Sequence, residues 1–170
     1  LHSIRRRQRQ MCIRDRDPNR LHSSVVINLG NRDSIKKDMP IFTAKGVVGK
    51  IAKVFWNHSH VQLMQALSSK ISILEKKSRT MGILESLNGH DLVVNIPNHS
   101  NLRVGDTLVT SGFGGVYPKG MSIGIIEKFQ DGPIPVLEQA FIKPFQNPNY
   151  LEEVFVLKRQ AIWKLEKTNE

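Results

Sequence analysis

Apolar residues come in short runs, and most of these runs alternate with polar positions at a period of two. "SVVINLG" (Ser24–Gly30) is β-branched and closes on a glycine. "DMPIFTAKGVVGKIAKVFW" reads as two short strands around Lys45-Gly46, a hairpin-like turn signal. Gly49, inside the second of these strands, predicts a bulge or a close backbone approach. "HVQLMQAL" reads as a strand over Val61–Met64, with a short helical turn as an option after it. Seven more strand patterns follow: Lys70–Lys76, Thr80–Ser86, Asp91–Pro97, Asp106–Gly112, Met121–Phe129, Pro135–Phe145 and Leu151–Arg159. Turn chemistry separates them at Asn88-Gly89, Gly105-Asp106, Asp131-Gly132 and Asn147-Pro148-Asn149. About ten short strands spaced by turns predict an all-β protein built from barrels or sandwiches. The end of the chain, "RQAIWKLEKTNE" (159–170), reads as a short polar or helical tail.

One stretch stands apart. In "VGDTLVTSGFGGVYPKGMSIGIIEKF" (Val104–Phe129), Gly112, Gly114 and Gly115 fall within four positions, and Gly120 leads into the next strand. Such glycine density permits backbone conformations closed to other residues. Phe113, Val116 and Tyr117 share the loop, and each could fill its own barrel or form an apolar contact for a partner. Phe55 and Trp56, at a strand end, offer the same choice. The turn glycines singled out are Gly46, Gly49, Gly112, Gly114, Gly115 and Gly120.

Composition changes the picture at one place. Hydrophobic residues make up 39% and charged residues 24%, as in globular proteins, and the formal charge of +10 suggests an anionic partner. Half of that charge lies in residues 1–16, which hold six arginines and one aspartate. Arg6–Asp15 is what CGT CGG CAG CGT CAG ATG TGT ATA AGA GAC encodes, and the next bases, AG, begin a codon for Arg16. That string is a transposase-based sequencing-library adapter. Residues 1–16 are therefore read as translated adapter rather than native sequence. The rival reading, a basic arm on nucleic acid, does not explain the order of the residues. No nucleic-acid partner is expected. Cys12, the only cysteine, leaves with the adapter, which excludes disulfides, thiolate metal sites and a cysteine nucleophile from the native part. No apolar run approaches the roughly 20 residues that a membrane-spanning helix needs.

Gly105–Gly124 carries glycine, aspartate, a TSG triplet, a glycine pair and a Pro-x-Gly in the order typical of the rod shape-determining MreC family, which the chain resembles. A second motif supports this, Ile27–Ile51, with Asn28, Gly30, Met39-Pro40, Gly46 and Gly49 in place. Ser34 departs from the pattern, which has glycine after the aspartate, and this weakens one turn. Ser72, Gly82 and the strand Leu151–Leu157 also fit, so the resemblance runs from about Asn19 to Lys158.

The resemblance implies two small β-barrel-like domains outside the cytoplasmic (inner) membrane, on its periplasmic or extracytoplasmic side. A coiled coil and one transmembrane helix would precede them, upstream of this fragment. It implies a non-enzymatic, self-associating scaffold of the cell-wall elongation machinery, or rod complex, which maintains cell shape. The implied partners are MreD, RodZ, RodA, the MreB system and the elongation transpeptidase, a class B penicillin-binding protein that the scaffold activates. Residues 17–66 hold too few strands to close a barrel alone. They are expected to form a first lobe completed by 135–158, with 67–134 as a second lobe.

A chymotrypsin-like β-barrel serine hydrolase using Ser111 is the alternative. Its chemistry needs a histidine base and an acid to orient it. Phe113 stands where an exposed nucleophile would be expected, and His58 and His60 have no acid nearby in sequence. The two histidines, at i and i+2, could share a metal, but no third ligand belongs to the local pattern, so a solvated loop is expected. No phosphate loop, dinucleotide fingerprint or paired-carboxylate motif occurs, so no cofactor is expected.

Overall fold

The computed structural model describes residues 10–16, 24–98 and 100–158. In chain order its strands are β1 (Gln10–Arg16), β2 (Ser24–Ile27), β3 (Pro40–Phe42), β4 (Val47–Val54), β5 (Ser59–Leu63), β6 (Lys70–Glu75), β7 (Met81–Ser86), β8 (Leu92–Pro97), β9 (Thr107–Thr110), β10 (Ser122–Asp131), β11 (Leu137–Pro144) and β12 (Glu153–Val156). Only two 3-10 turns, Asn31–Asp33 and Pro148–Tyr150, interrupt them among the described residues, so the fold is all-β.

The strands close into two barrels of six, in the orders β1-β12-β3-β4-β5-β2 and β10-β11-β8-β7-β6-β9. The second barrel is inserted between β5 and β12 of the first. Alternation sets each lining: along β5, Ser59, Val61 and Leu63 face inward while His60 and Gln62 are half-exposed. The first core gathers Val25, Ile27, Ile41, Ile51, Val61 and Val154, and the second gathers Ile71, Ile73, Leu84, Leu92, Val94 and Ile96.

The boundary between lobes differs from the expected one. β11 lies within 135–158, yet it belongs to the second barrel. Its register runs unbroken along β8, from Leu137 opposite Pro97 to Ile142 opposite Leu92, and its other edge pairs with β10. No edge of β11 is left for the first lobe. Of that segment only β12 joins the first barrel, between β1 and β3. The first barrel also takes β1 from the stretch read as adapter. After β5 the chain turns at Met64–Ser68 without forming a helix. Residues 1–9, the tail 159–170 and His99 lie outside the described residues.

The barrels meet through side chains and through bare backbone. Val47, from the start of β4, and Met64, just after β5, pack into the core of the second barrel. Gly46 lies against Ser122: a Cβ on Gly46 would stand 2.4 Å from the Ser122 carbonyl oxygen. The Thr43 hydroxyl donates to Gln146 Oε1 at 2.7 Å, tying the β3–β4 turn to the chain that leaves the second barrel.

Candidate partner-binding surface

The glycine loop between β9 and β10 is built around Thr110. Its backbone N–H donates to the Met121 carbonyl (2.9 Å), and its carbonyl accepts from Gly120 N–H (2.8 Å). Its hydroxyl donates to the Pro118 carbonyl and accepts from Met121 N–H. This neck lets the chain make a tight excursion over 111–120. The excursion requires positive φ at Gly112 (88°), Gly114 (82°), Gly115 (71°) and Gly120 (89°).

The loop sends its large residues in different directions. Phe113 is 65% exposed. Val116 is half-buried and packs on the second core. Tyr117, expected among the accessible partner anchors, is instead buried at 7% exposure with the Val47–Met64 contact between the barrels. Burial pushes its phenol pKa up, and the nearby Asp38 carboxylate of the first barrel adds to the shift. Tyr117 is therefore an internal strut, because the first barrel covers the face it would otherwise present.

At the far end of the first barrel, Phe55 is half-buried. Its ring stacks on His58 at 4.4 Å and 10°, and the Lys53 ammonium lies 5.0 Å from its centre. His60 completes the group, 5.3 Å from Phe55 and 5.9 Å from His58. The pair expected in a solvated loop is thus half-buried in an aromatic cluster. Among the described residues no group of three or more His, Cys, Asp or Glu is placed to hold a metal ion. Trp56 points outward at 70% exposure. The Phe55–Trp56 backbone is braced from behind, since Asn31 N–H donates to the Phe55 carbonyl and Arg32 N–H to the Trp56 carbonyl.

Ser111 is buried, and its hydroxyl donates to Ser72 Oγ at 2.8 Å while accepting from Phe113 N–H at 3.2 Å. The first bond ties the loop to β6, and the second closes a turn within the loop itself. His58 and His60 belong to the other barrel, so the structure does not assemble them with Ser111.

Sequence reasoning missed several exposed apolar residues, Met81 and Ile83 among them. Met81 and Ile83 lie on the outer side of β7 at 49% and 55% exposure. Between them Gly82 faces inward, because a Cβ there would come within 2.5 Å of Val94 Cγ1. The signal was present in "MGILES", where the small residue of the alternation marks the crowded face. Ser72 pairs with Ile83, and Ser111 N–H donates to the Ser72 carbonyl. Phe113, Ser111, Ser72 and Ile83 therefore belong to neighbouring positions on one flank of the second barrel. A cleft of about 290 Å³ lies where the barrels meet, between Phe42 and Thr43 on one side and Pro118 and Met121 on the other, with Leu157 at its edge.

The model of the family "Rod shape-determining protein MreC, barrel core" matches residues 13–158. The cell shape-determining protein MreC of Listeria monocytogenes is 31% identical over 152 residues, which cover 86% of this chain and 52% of that protein. A solved MreC structure from Listeria superposes with a TM-score of 0.83 at 28% identity, covering 92% of this chain and 77% of that one. A Helicobacter pylori MreC, solved in complex with the penicillin-binding protein PBP2, shares the fold with a TM-score of 0.70 at 18% identity. That match covers 89% of this chain and 98% of the other. The chain spans about half the length of the curated relatives from Listeria, Geobacillus and Bacillus that it matches.

Proposed function

The chain belongs to the family of rod shape-determining MreC proteins, and from that premise we propose that it is the extracytoplasmic barrel portion of a scaffold for cell-wall elongation. The carrying observation is that the family match spans both barrels from residue 13 to residue 158. In this reading the barrels bind the elongation transpeptidase, a class B penicillin-binding protein, and favour its active state. The Helicobacter relative, solved with its penicillin-binding protein, supports that choice of partner. The longer protein would carry a transmembrane helix in the cytoplasmic membrane, would self-associate, and would connect to MreD, RodZ, RodA and the MreB system.

The contacts proposed for the transpeptidase are two separate anchors, Phe113 on the second barrel and Trp56 at the end of the first, both large apolar groups held outward. Val116 and Phe55 back them from half-buried positions. A few such anchors carry most of an interface's affinity. The test is binding of the purified chain to the transpeptidase ectodomain of the same organism. Saturable binding is expected. Phe113→Asp and Trp56→Asp should each weaken it about tenfold or more, equivalent to about 1.4 kcal/mol, with no change in melting temperature. A folded chain that does not bind would refute the proposal.

A further inference from the structure

The second barrel is closed unevenly. β6 holds β7 over five pairs, from Lys70 opposite Glu85 to Leu74 opposite Met81. On its other edge β7 meets β8 over three pairs only, Leu84, Glu85 and Ser86 against Val94, Val93 and Leu92. Met81, Gly82 and Ile83 therefore have ladder partners on β6 and none on β8. Proline chemistry accounts for where the seam stops. The same register, continued, would set Met81 opposite Pro97, which has no N–H to donate. Asn95 marks the end of the closed part with its side chain. Its Nδ2 donates to Glu85 Oε1 (3.0 Å), and Gln139 Nε2 donates to its Oδ1 (3.1 Å).

The opening bares backbone without baring the core. The Val94 side chain lies against Gly82, where a Cβ would stand 2.5 Å from Val94 Cγ1, and Ile96 stays fully buried. On the β6 side, Glu75 N–H donates to the Thr80 carbonyl, which fixes the phase of the ladder. Bonded and non-bonded positions alternate in an antiparallel pair, so Thr80, Gly82 and Leu84 turn their backbone groups toward β6. Met81 and Ile83 turn theirs the other way, to the side from which β8 has parted. Proteins usually blunt such an edge with proline or charge. Pro97 does this for β8, but the outward residues of β7 here are Met81 and Ile83, both about half exposed.

Charge says what fits. The turn that leads into β7 carries Lys76, Lys77 and Arg79, all exposed. Its one carboxylate, Glu75, is buried and accepts from the Lys77 and Ser78 amides. Beyond Ile83, Glu85 is already met by Lys70 at 3.4 Å. The edge is thus positive at its Met81 end and close to neutral at the other.

We propose that Met81–Ile83 is a docking edge for an extended segment of a partner protein. The segment pairs antiparallel to β7, lays apolar side chains beside Met81 and Ile83, and carries carboxylates at its C-terminal end. Antiparallel pairing sets that polarity, because the C-terminal end of the added strand lies next to the start of β7 and its three cations. The inference does not rest on the transpeptidase reading, whose anchors are Phe113 and Trp56.

The probe is an acetylated octapeptide of three threonine–valine pairs ending in two aspartates, titrated into the full chain. Saturable binding with a Kd below about 1 mM is expected, with slowed exchange at the Met81 and Ile83 amides. Peptides with lysines in place of the aspartates, or with the aspartates moved to the start, should bind about fivefold more weakly or worse. Met81→Pro removes the N–H that faces the open side and spares the β6 ladder, while Ile83→Lys puts a charge on the outer face. Each should weaken binding about tenfold, with a melting midpoint within about 2 °C of the parent. Lys76→Glu with Lys77→Glu should reverse the preference in favour of the lysine peptide. No saturable binding to the folded chain, equal binding of the three peptides, or undiminished binding by Ile83→Lys would each overturn the proposal. So would a chain that dimerises through β7 and leaves the peptide unbound.

Discussion

Gly49→Ala puts a number on how closely β4 and β5 approach. A Cβ at residue 49 would lie 1.9 Å from the Gln62 carbonyl oxygen and 2.9 Å from its carbon, where ordinary contact begins near 3.4 Å. The obstacle is backbone, so no rotamer relieves it. β4 and β5 must separate locally by about 1.5 Å, which takes neighbouring ladder bonds beyond hydrogen-bonding range. Gly49 pairs with Leu63 and Lys50 with Gln62, so about two bonds are at stake, at about 1 kcal/mol each. Loosening the packing around Leu63 adds a similar amount, and the expected loss is about 3 kcal/mol. For a chain of this size that lowers the melting temperature by roughly 6–12 °C. Gly89→Ala is the control. Gly89 has φ of 84°, and a methyl group added there would meet nothing within 4 Å, so only backbone strain of about 1 kcal/mol applies. Both variants are compared by thermal unfolding monitored by circular dichroism. A Gly49→Ala midpoint as mild as that of Gly89→Ala would refute the close-approach argument.

Ser34 holds φ of 62° at the turn where the family pattern has glycine, so Ser34→Gly should stabilise by about 1 kcal/mol, seen as a rise of roughly 2–4 °C. Burial of Glu75 opposes its ionisation, but the Lys77 and Ser78 amides donate to its carboxylate and leave the pKa below the ordinary value. A depressed carboxyl contributes stability above its unfolded pKa of about 4.3, and this is lost as pH falls through the folded value. Glu75→Gln should therefore lower stability at pH 7 and flatten the acid limb of a melting-temperature profile below about pH 4. Tyr117 has the opposite sign: its raised pKa gives stability that is complete below about pH 10 and declines above it. Tyr117→Phe should abolish that alkaline loss, whereas Tyr117→Asp should unfold the junction at a cost of about 3 kcal/mol or more, measured by urea titration.

The strands were legible because alternation is local. "SHVQL" in β5 and "KISILE" in β6 declare their inward residues without reference to anything distant. Closure was less legible. β11 carries the same alternation that a strand of either barrel would, and only its register with β8 and β10 assigns it to the second. Phe113 and Tyr117 make the point within one loop. They are four residues apart and chemically alike, and they differ because another barrel covers one of them. The glycines divide in the same way. Gly112 has a positive φ, which its turn context announces, while Gly49 sits in mid-strand for want of space against Gln62, a neighbour visible only once the strands are paired.

The insertion of one barrel inside the other also has a mechanical meaning. Gln10 lies opposite Phe155, so the outer ends of β1 and β12 leave the first barrel side by side. Tension applied across them meets the ladder one hydrogen bond at a time, as in opening a zipper, and never loads it in parallel shear. The second barrel lies in the chain between β5 and β12, so force applied at those two ends reaches it only after the first barrel has given way. Under force the first barrel is the fuse, and the second keeps its shape until the first has opened.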